Sequence, residues 1–142
     1  MHTTDDDIYA SETWTLTRKM TDKLRVTQRG MERAMLNITR RDRWRNTSTR
    51  NATKVDDIIR HIKIGKWRWA GHVARRNDNR WTKRTTDWTP RNGRRSRGRP
   101  ADEWETDLRS FCSMWRREAQ NRDKWRQHAE AFALQWADNG LS

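Results

Sequence analysis

Lys66, Arg68, His72, Arg75, Arg76, Arg80, Arg91, Arg94, Arg95, Arg97 and Arg99 are side chains that can hold phosphate, and Trp67 and Trp81 lie among them as surfaces on which a base can stack. Arginine forks match pairs of phosphate oxygens. Each phosphate neutralised in this way releases condensed counterion, so such binding is steep in salt. Five of the ten residues from 91 to 100 are arginine, and Gly93 and Gly98 among them permit a close backbone approach. Nothing in the segment reads as a code for particular bases. The expectation is recognition of a nucleic-acid backbone or shape.

Other chemistry is poorly provided for. Two-metal phosphoryl transfer needs clustered carboxylates, whereas the acids of the basic segment are single or adjacent, as in Asp56-Asp57. A restriction-type nuclease needs an acid two residues before a lysine, and none of the seven lysines has one. One cysteine and four histidines without paired spacing (His2, His61, His72, His128) do not form a zinc site. Cys112 reads as a buried member of a helix face. There is no phosphate-cradling glycine loop. No catalytic residue, no metal and no cofactor is expected.

The charge says where binding belongs. The 142 residues carry a net +13. Residues 1–17 contribute −4, residues 18–99 contribute +19 and residues 100–142 contribute −2. A polyanion is the natural partner of such a chain. The lone cysteine excludes an internal disulfide and fits a reducing, intracellular setting. The nucleus is the expected location. No apolar run is long enough for a membrane span, and no signal peptide is expected.

The elements that must position these residues read as helices. Leu, Ile, Val and Phe make up only 17 of 142 residues, so ten tryptophans have to supply much of the core. The expected fold is all-α, a small irregular bundle of about five or six helices with a basic arginine-rich loop, and it is thin enough in aliphatic filling to need support from outside the chain. An acidic tail and run-in (1–17) precede a basic helical part (18–90), the Arg/Gly/Pro loop (91–100) and a C-terminal helical pair (101–142).

Within the basic part, Thr21 starts a helix whose stripe Leu24, Met31, Met35 and Ile38 faces the core. A short helix around Trp44 follows, and Thr53 caps the next. There Val55, Ile58, Ile59, Ile62, Trp69, Ala70 and Val73 share one face at helical period. Trp67 lies off that face and either packs on a second element or offers a stacking surface. Trp104, Leu108, Phe111, Cys112 and Trp115 line one C-terminal helix, and Trp125, Ala129, Phe132, Ala133 and Trp136 line the last.

With these residues in view, the chain resembles the C-terminal part of the endonuclease–reverse transcriptase of non-long-terminal-repeat (LINE-type, RTE-like) retrotransposons. The likeness rests on Glu12-Thr13-Trp14-Thr15-Leu16-Thr17, on Lys23-Leu24-Arg25-Val26-Thr27-Gln28-Arg29 and on Met31-Glu32-Arg33-Ala34-Met35-Leu36. It continues through Trp67-x-Trp69-Ala70-Gly71-His72-Val73-Ala74-Arg75, Gly98-Arg99-Pro100, Trp104-x-x-Asp107-Leu108 and Asp123-x-Trp125-Arg126. Apolar residues are usual in that family at Thr85, Thr86 and near Ser48. The resemblance implies a polymerase thumb and the segment after it, which grip RNA or DNA, above all a template–primer duplex. The polymerase acids of the family lie upstream, in a turn that Tyr9-Ala10-Ser11 does not reproduce. The resemblance therefore implies a non-catalytic fragment whose further partner is the missing N-terminal polymerase body. The alternative is an independent Trp-rich helical module that binds a protein.

Overall fold

The computed structural model describes residues 11–77, 81–87 and 104–138. These residues form eight α-helices and two 3-10 turns with no strand among them, so the chain is all-α. The helices are α1 (Arg18–Met35), α2 (Asn46–Thr53), α3 (Ile58–Arg75), α4 (Trp81–Asp87), α5 (Thr106–Phe111), α6 (Trp115–Glu118), α7 (Arg122–Gln127) and α8 (Ala129–Asp138). The 3-10 turns are Ser11–Thr13 and Arg40–Asp42. None of the helices is long and apolar enough to cross a membrane.

α3 is the central element. Its N-cap is Asp57, not Thr53, which instead is the last residue of α2. One Asp57 oxygen accepts from the backbone N–H groups of Ile59 (2.8 Å) and Arg60 (3.2 Å), two donors that have no partner within the helix. The helix passes through Gly65 without a break. Successive residues turn by about 100°, which places Ile59, Ile62, Lys63, Lys66, Trp67, Ala70, Gly71 and Val73, all buried, on about half of its circumference. Such an arc is wider than the stripe of a surface helix. It is wide because α3 is covered from two sides, by α1 and the Ser11–Thr13 turn and by α7 and α8.

The second side holds the larger core. Trp67, Ala70, Leu108, Trp115, Ala119, Trp125, Ala129 and Phe132 form one buried cluster, with Trp104, Phe111 and the half-buried Cys112 packed against it. The expected C-terminal pair of helices is here four short ones. Cys112 takes extended backbone (φ −144°, ψ 105°) and ends α5. The Asn121 side chain accepts from Lys124 N–H and starts α7. With these breaks Leu108, Trp115, Trp125 and Phe132 all join the buried cluster that includes Trp67 and Ala70 of α3. On the first side, Leu16 and Ile62 are buried together with Trp14, Leu24 and Ile58 around them. Trp104 Nε1 donates to the Glu12 carbonyl (2.8 Å) and ties the run-in segment to the C-terminal half.

α1 departs from its expected orientation. Its N-cap is Thr17, whose hydroxyl accepts from Met20 N–H, while Thr21 is buried inside the helix. Asn37 in the left-handed conformation (φ 53°) ends it. Met31 and Met35 are 57% and 59% exposed, and the helix turns Thr21, Gln28 and Glu32 inward. Gln28 explains this choice. Its amide donates to the Asp56 carbonyl (2.6 Å) and accepts from Ile58 N–H (3.1 Å), the donor at the start of α3 that the Asp57 cap does not take. Glu32 faces the Arg50 guanidinium at 3.8 Å. Polar inter-helix links, not the methionine stripe, orient this helix.

Candidate nucleic-acid interface

The outer face of α3 carries a stripe of basic side chains. Arg68, His72, Arg75 and Arg76 recur at spacings of four, three and one, so they fall on one side of the helix, opposite its buried arc. Arg68 and His72 are exposed, and Arg75 and Arg76 are half-buried at the C-terminal end. Positive charge is favourable there, since the last carbonyls carry the negative end of the helix dipole.

The C-terminal end of the stripe is held by bonds to its neighbours. Arg75 Nη1 donates to the Ala119 carbonyl (2.7 Å) and Gln120 donates to the Ala74 carbonyl (3.1 Å), fixing the end of α3 to the α6–α7 junction. Burial, and then the charge of Arg122, push the Arg75 pKa down from its ordinary value. Arg122 extends the basic surface onto α7. The near-neutral balance of residues 100–142 conceals it, and its influence on Arg75 appears only in the fold.

α4 lies beside the stripe. Lys83 Nζ donates to the Arg76 carbonyl (3.2 Å), and Arg116 of α6 reaches the Thr86 carbonyl (3.5 Å). Thr85 is exposed and bonds back to the Trp81 and Thr82 carbonyls, so the hydroxyls that stand in place of apolar residues are satisfied within the helix. Trp81 is 77% exposed, with the Arg84 guanidinium 5.8 Å from its ring centroid.

Two expected site residues prove to be interior. Lys66 is 1% exposed, and its ammonium lies 2.8 Å from Asp107 Oδ1 while Lys63 takes Oδ2 at 2.5 Å. Its position two residues before Arg68 puts it about 200° around the helix, within the apolar arc. Burial pulls the pKa of both lysines below the ordinary lysine value, and the Asp107 charge offsets this in part. Trp67 is also 1% exposed. Its ring is stacked on Trp125 (centroids 3.7 Å apart, 7° between planes) and cannot stack on a base. Arg80, Arg91, Arg94, Arg95, Arg97 and Arg99, with the whole 91–100 loop, lie outside the described residues.

Among the described residues no three His, Cys, Asp or Glu side chains are grouped to hold a metal ion. The arrangement offers a row of basic side chains with the exposed indole of Trp81 on the neighbouring α4.

No protein-family model matches the chain. No solved structure matches it. It is similar to an uncharacterised transposon-derived protein of Caenorhabditis elegans, 34% identical over 132 residues that cover 82% of this chain and 47% of that protein. The chain thus spans about half the length of this relative, and its likeness is to a protein of transposon derivation.

Proposed function

We propose that this chain is a non-catalytic C-terminal part of a retrotransposon reverse transcriptase, and that it binds the sugar–phosphate backbone of RNA, DNA or a template–primer hybrid. The observation that carries the binding is the row of basic side chains Arg68, His72, Arg75 and Arg76 on the outer side of α3. The transposon-derived relative supports the source. The resemblance supplies the rest: a thumb-like role, an N-terminal polymerase body as partner and a nuclear setting. Arg94, Arg95, Arg97 and Arg99 contact phosphates in this reading, and Arg68, His72, Arg75, Arg76 and Trp81 are assigned to the same interface.

The test is equilibrium binding of the full chain to a labelled RNA–DNA hybrid across a range of salt. Replacing Arg94, Arg95, Arg97 and Arg99 by alanine weakens binding and reduces the slope of log K against log salt by about 0.9 for each duplex phosphate that is no longer neutralised. An unchanged slope refutes the assignment of these residues.

A protein-binding module is the second reading, and its surface differs from the one the sequence suggests. Trp67, Trp115 and Trp125 are buried in the core. The exposed apolar side chains of α1 are instead Met20, Val26, Met31 and Met35. Affinity for a neutral protein with none for nucleic acid favours this reading.

A further inference from the structure

The structure sets apart a second basic surface, on the turn between α1 and α2. Residues 33–55 contain one acid, Asp42, and that carboxylate is engaged within its own turn. Its Oδ2 accepts from Thr39 N–H (2.6 Å) and from the Thr39 hydroxyl (2.9 Å), closing the Arg40–Asp42 turn. Arg43 follows in the left-handed conformation (φ 52°), a costly one for a side chain of this size, and reverses the chain. The result is that Arg40, Arg41, Arg43, Trp44 and Arg45 are all exposed within six consecutive residues. None of these four guanidinium groups takes part in an ion pair among the described residues, whereas Arg50, Arg60, Arg109 and Arg116 are each paired. Trp44 is 51% exposed.

We propose that Arg40, Arg41, Arg43, Trp44 and Arg45 form a binding site for single-stranded nucleic acid, in which the indole stacks on an unpaired base and the arginines hold the flanking phosphates. The site rests on the nucleic-acid reading above and adds a second surface to it. An indole among unpaired guanidinium groups is the combination that single strands use, because every base has a face to stack and a backbone to neutralise. A paired duplex hides its base faces from Trp44. A membrane surface fits poorly, since Trp44 is the only large apolar side chain from residue 39 to residue 54. The exposed Thr47 and Ser48 hydroxyls at the start of α2 add donors beside it.

The experiment measures anisotropy of the full chain with labelled single strands of about twelve nucleotides, as RNA and as DNA, and with the matching duplex. Trp44→Leu keeps the bulk and removes the stacking face; it should lower single-strand affinity about tenfold and leave duplex affinity nearly unchanged. Trp44→Phe should keep most of the affinity. The combined variant Arg40→Ala, Arg41→Ala, Arg43→Ala, Arg45→Ala should reduce the single-strand salt slope by about 3, at roughly 0.7 for each phosphate. Helical circular dichroism equal to wild type shows that the variants are folded. Normal single-strand binding by both Trp44→Leu and the arginine variant overturns this site and leaves the α3 interface standing. Equal losses of Trp44→Leu on single strand and duplex overturn the stacking role. A wild-type chain that binds no nucleic acid at low salt overturns both proposals together.

Discussion

Trp67 and Trp125 each donate an indole N–H to the main-chain carbonyl of the other, at 2.7 and 2.8 Å, while their rings lie stacked 3.7 Å apart. Fifty-eight residues separate them in sequence. The reciprocal pair solves the difficulty of burying an indole, which is that its N–H needs a partner. It also joins α3 to α7 at one defined register. Phe111 meets the Trp67 ring edge-on at 5.3 Å and Phe132 packs on it at 4.8 Å, so aromatic rings do what aliphatic side chains usually do in a core.

Gly71 is what allows Trp125 to approach. A Cβ built at Gly71 would overlap Trp125 Nε1 and lie 2.5 Å from its Cδ1. Gly71→Ala must push the indole away from the Trp67 carbonyl, breaking the bond and straining the stack. We expect a loss of about 2–4 kcal/mol in urea denaturation. Gly65→Ala, where a Cβ meets nothing within 4 Å, should instead stabilise α3 by roughly 0.5–1 kcal/mol.

The buried group formed by Lys63, Lys66 and Asp107 gives a second prediction. Asp107→Asn removes the carboxylate that both ammonium groups share, and charge left buried without its counter-ion costs about 3–5 kcal/mol. Replacing all three together, as Lys63→Met, Lys66→Met and Asp107→Leu, should cost less than Asp107→Asn alone. Denaturant midpoints of the two variants decide the order.

The same lysines set a pH dependence. Their pKa is lower in the fold than in the unfolded chain, chiefly through burial. Between the folded and unfolded values the unfolded chain therefore binds more protons, and stability rises with pH across that window. Below the window the cost of burying the charged forms stands in full. Lys66→Met should shrink the alkaline rise, measured as the difference in urea midpoint between mildly and strongly basic buffer.

α1 offers the sharpest contrast between pattern and packing. Met31→Glu and Met35→Glu should change stability by no more than about 0.5 kcal/mol, as for other exposed positions. Gln28→Leu leaves the Asp56 carbonyl and the Ile58 N–H without their shared partner and should cost about 1–3 kcal/mol. A core role for the methionine stripe predicts the reverse order, so thermal melts of the three variants separate the two views.

Much of the architecture is legible directly from residue spacing. Ile59, Ile62, Ala70 and Val73 lie on the buried side of α3 as their period requires, and Leu108, Trp115, Trp125, Ala129 and Phe132 all reach the core. The departures share one cause. Periodicity identifies an apolar side but says nothing of what covers it. Met31 and Met35 are exposed, and Gln28 and Glu32 make the inter-helix contacts instead. Trp67 stands outside the expected face of α3 because a second layer covers that flank.

For the candidate interface the division is similar. Arg68 and His72 are exposed on the side their spacing requires, whereas Lys66 belongs to the interior because its helical angle matches Ile59 and Ala70 more closely than Arg68. The Arg40–Arg45 surface is visible in the sequence as a run of arginines, but Trp44 there reads as part of a helix. The capping of Thr39 by Asp42 and the left-handed Arg43 make it an open turn.

Composition and periodicity alone determined an all-α chain with a strongly basic middle and tryptophan in place of aliphatic filling, because net charge and helical period are properties of local sequence. Which basic side chains face outward and which tryptophans are stacked away were decided only in the tertiary structure. Those outcomes depend on contacts between residues tens of positions apart, and burial of a charge or an indole depends on whether such a contact supplies its missing partner.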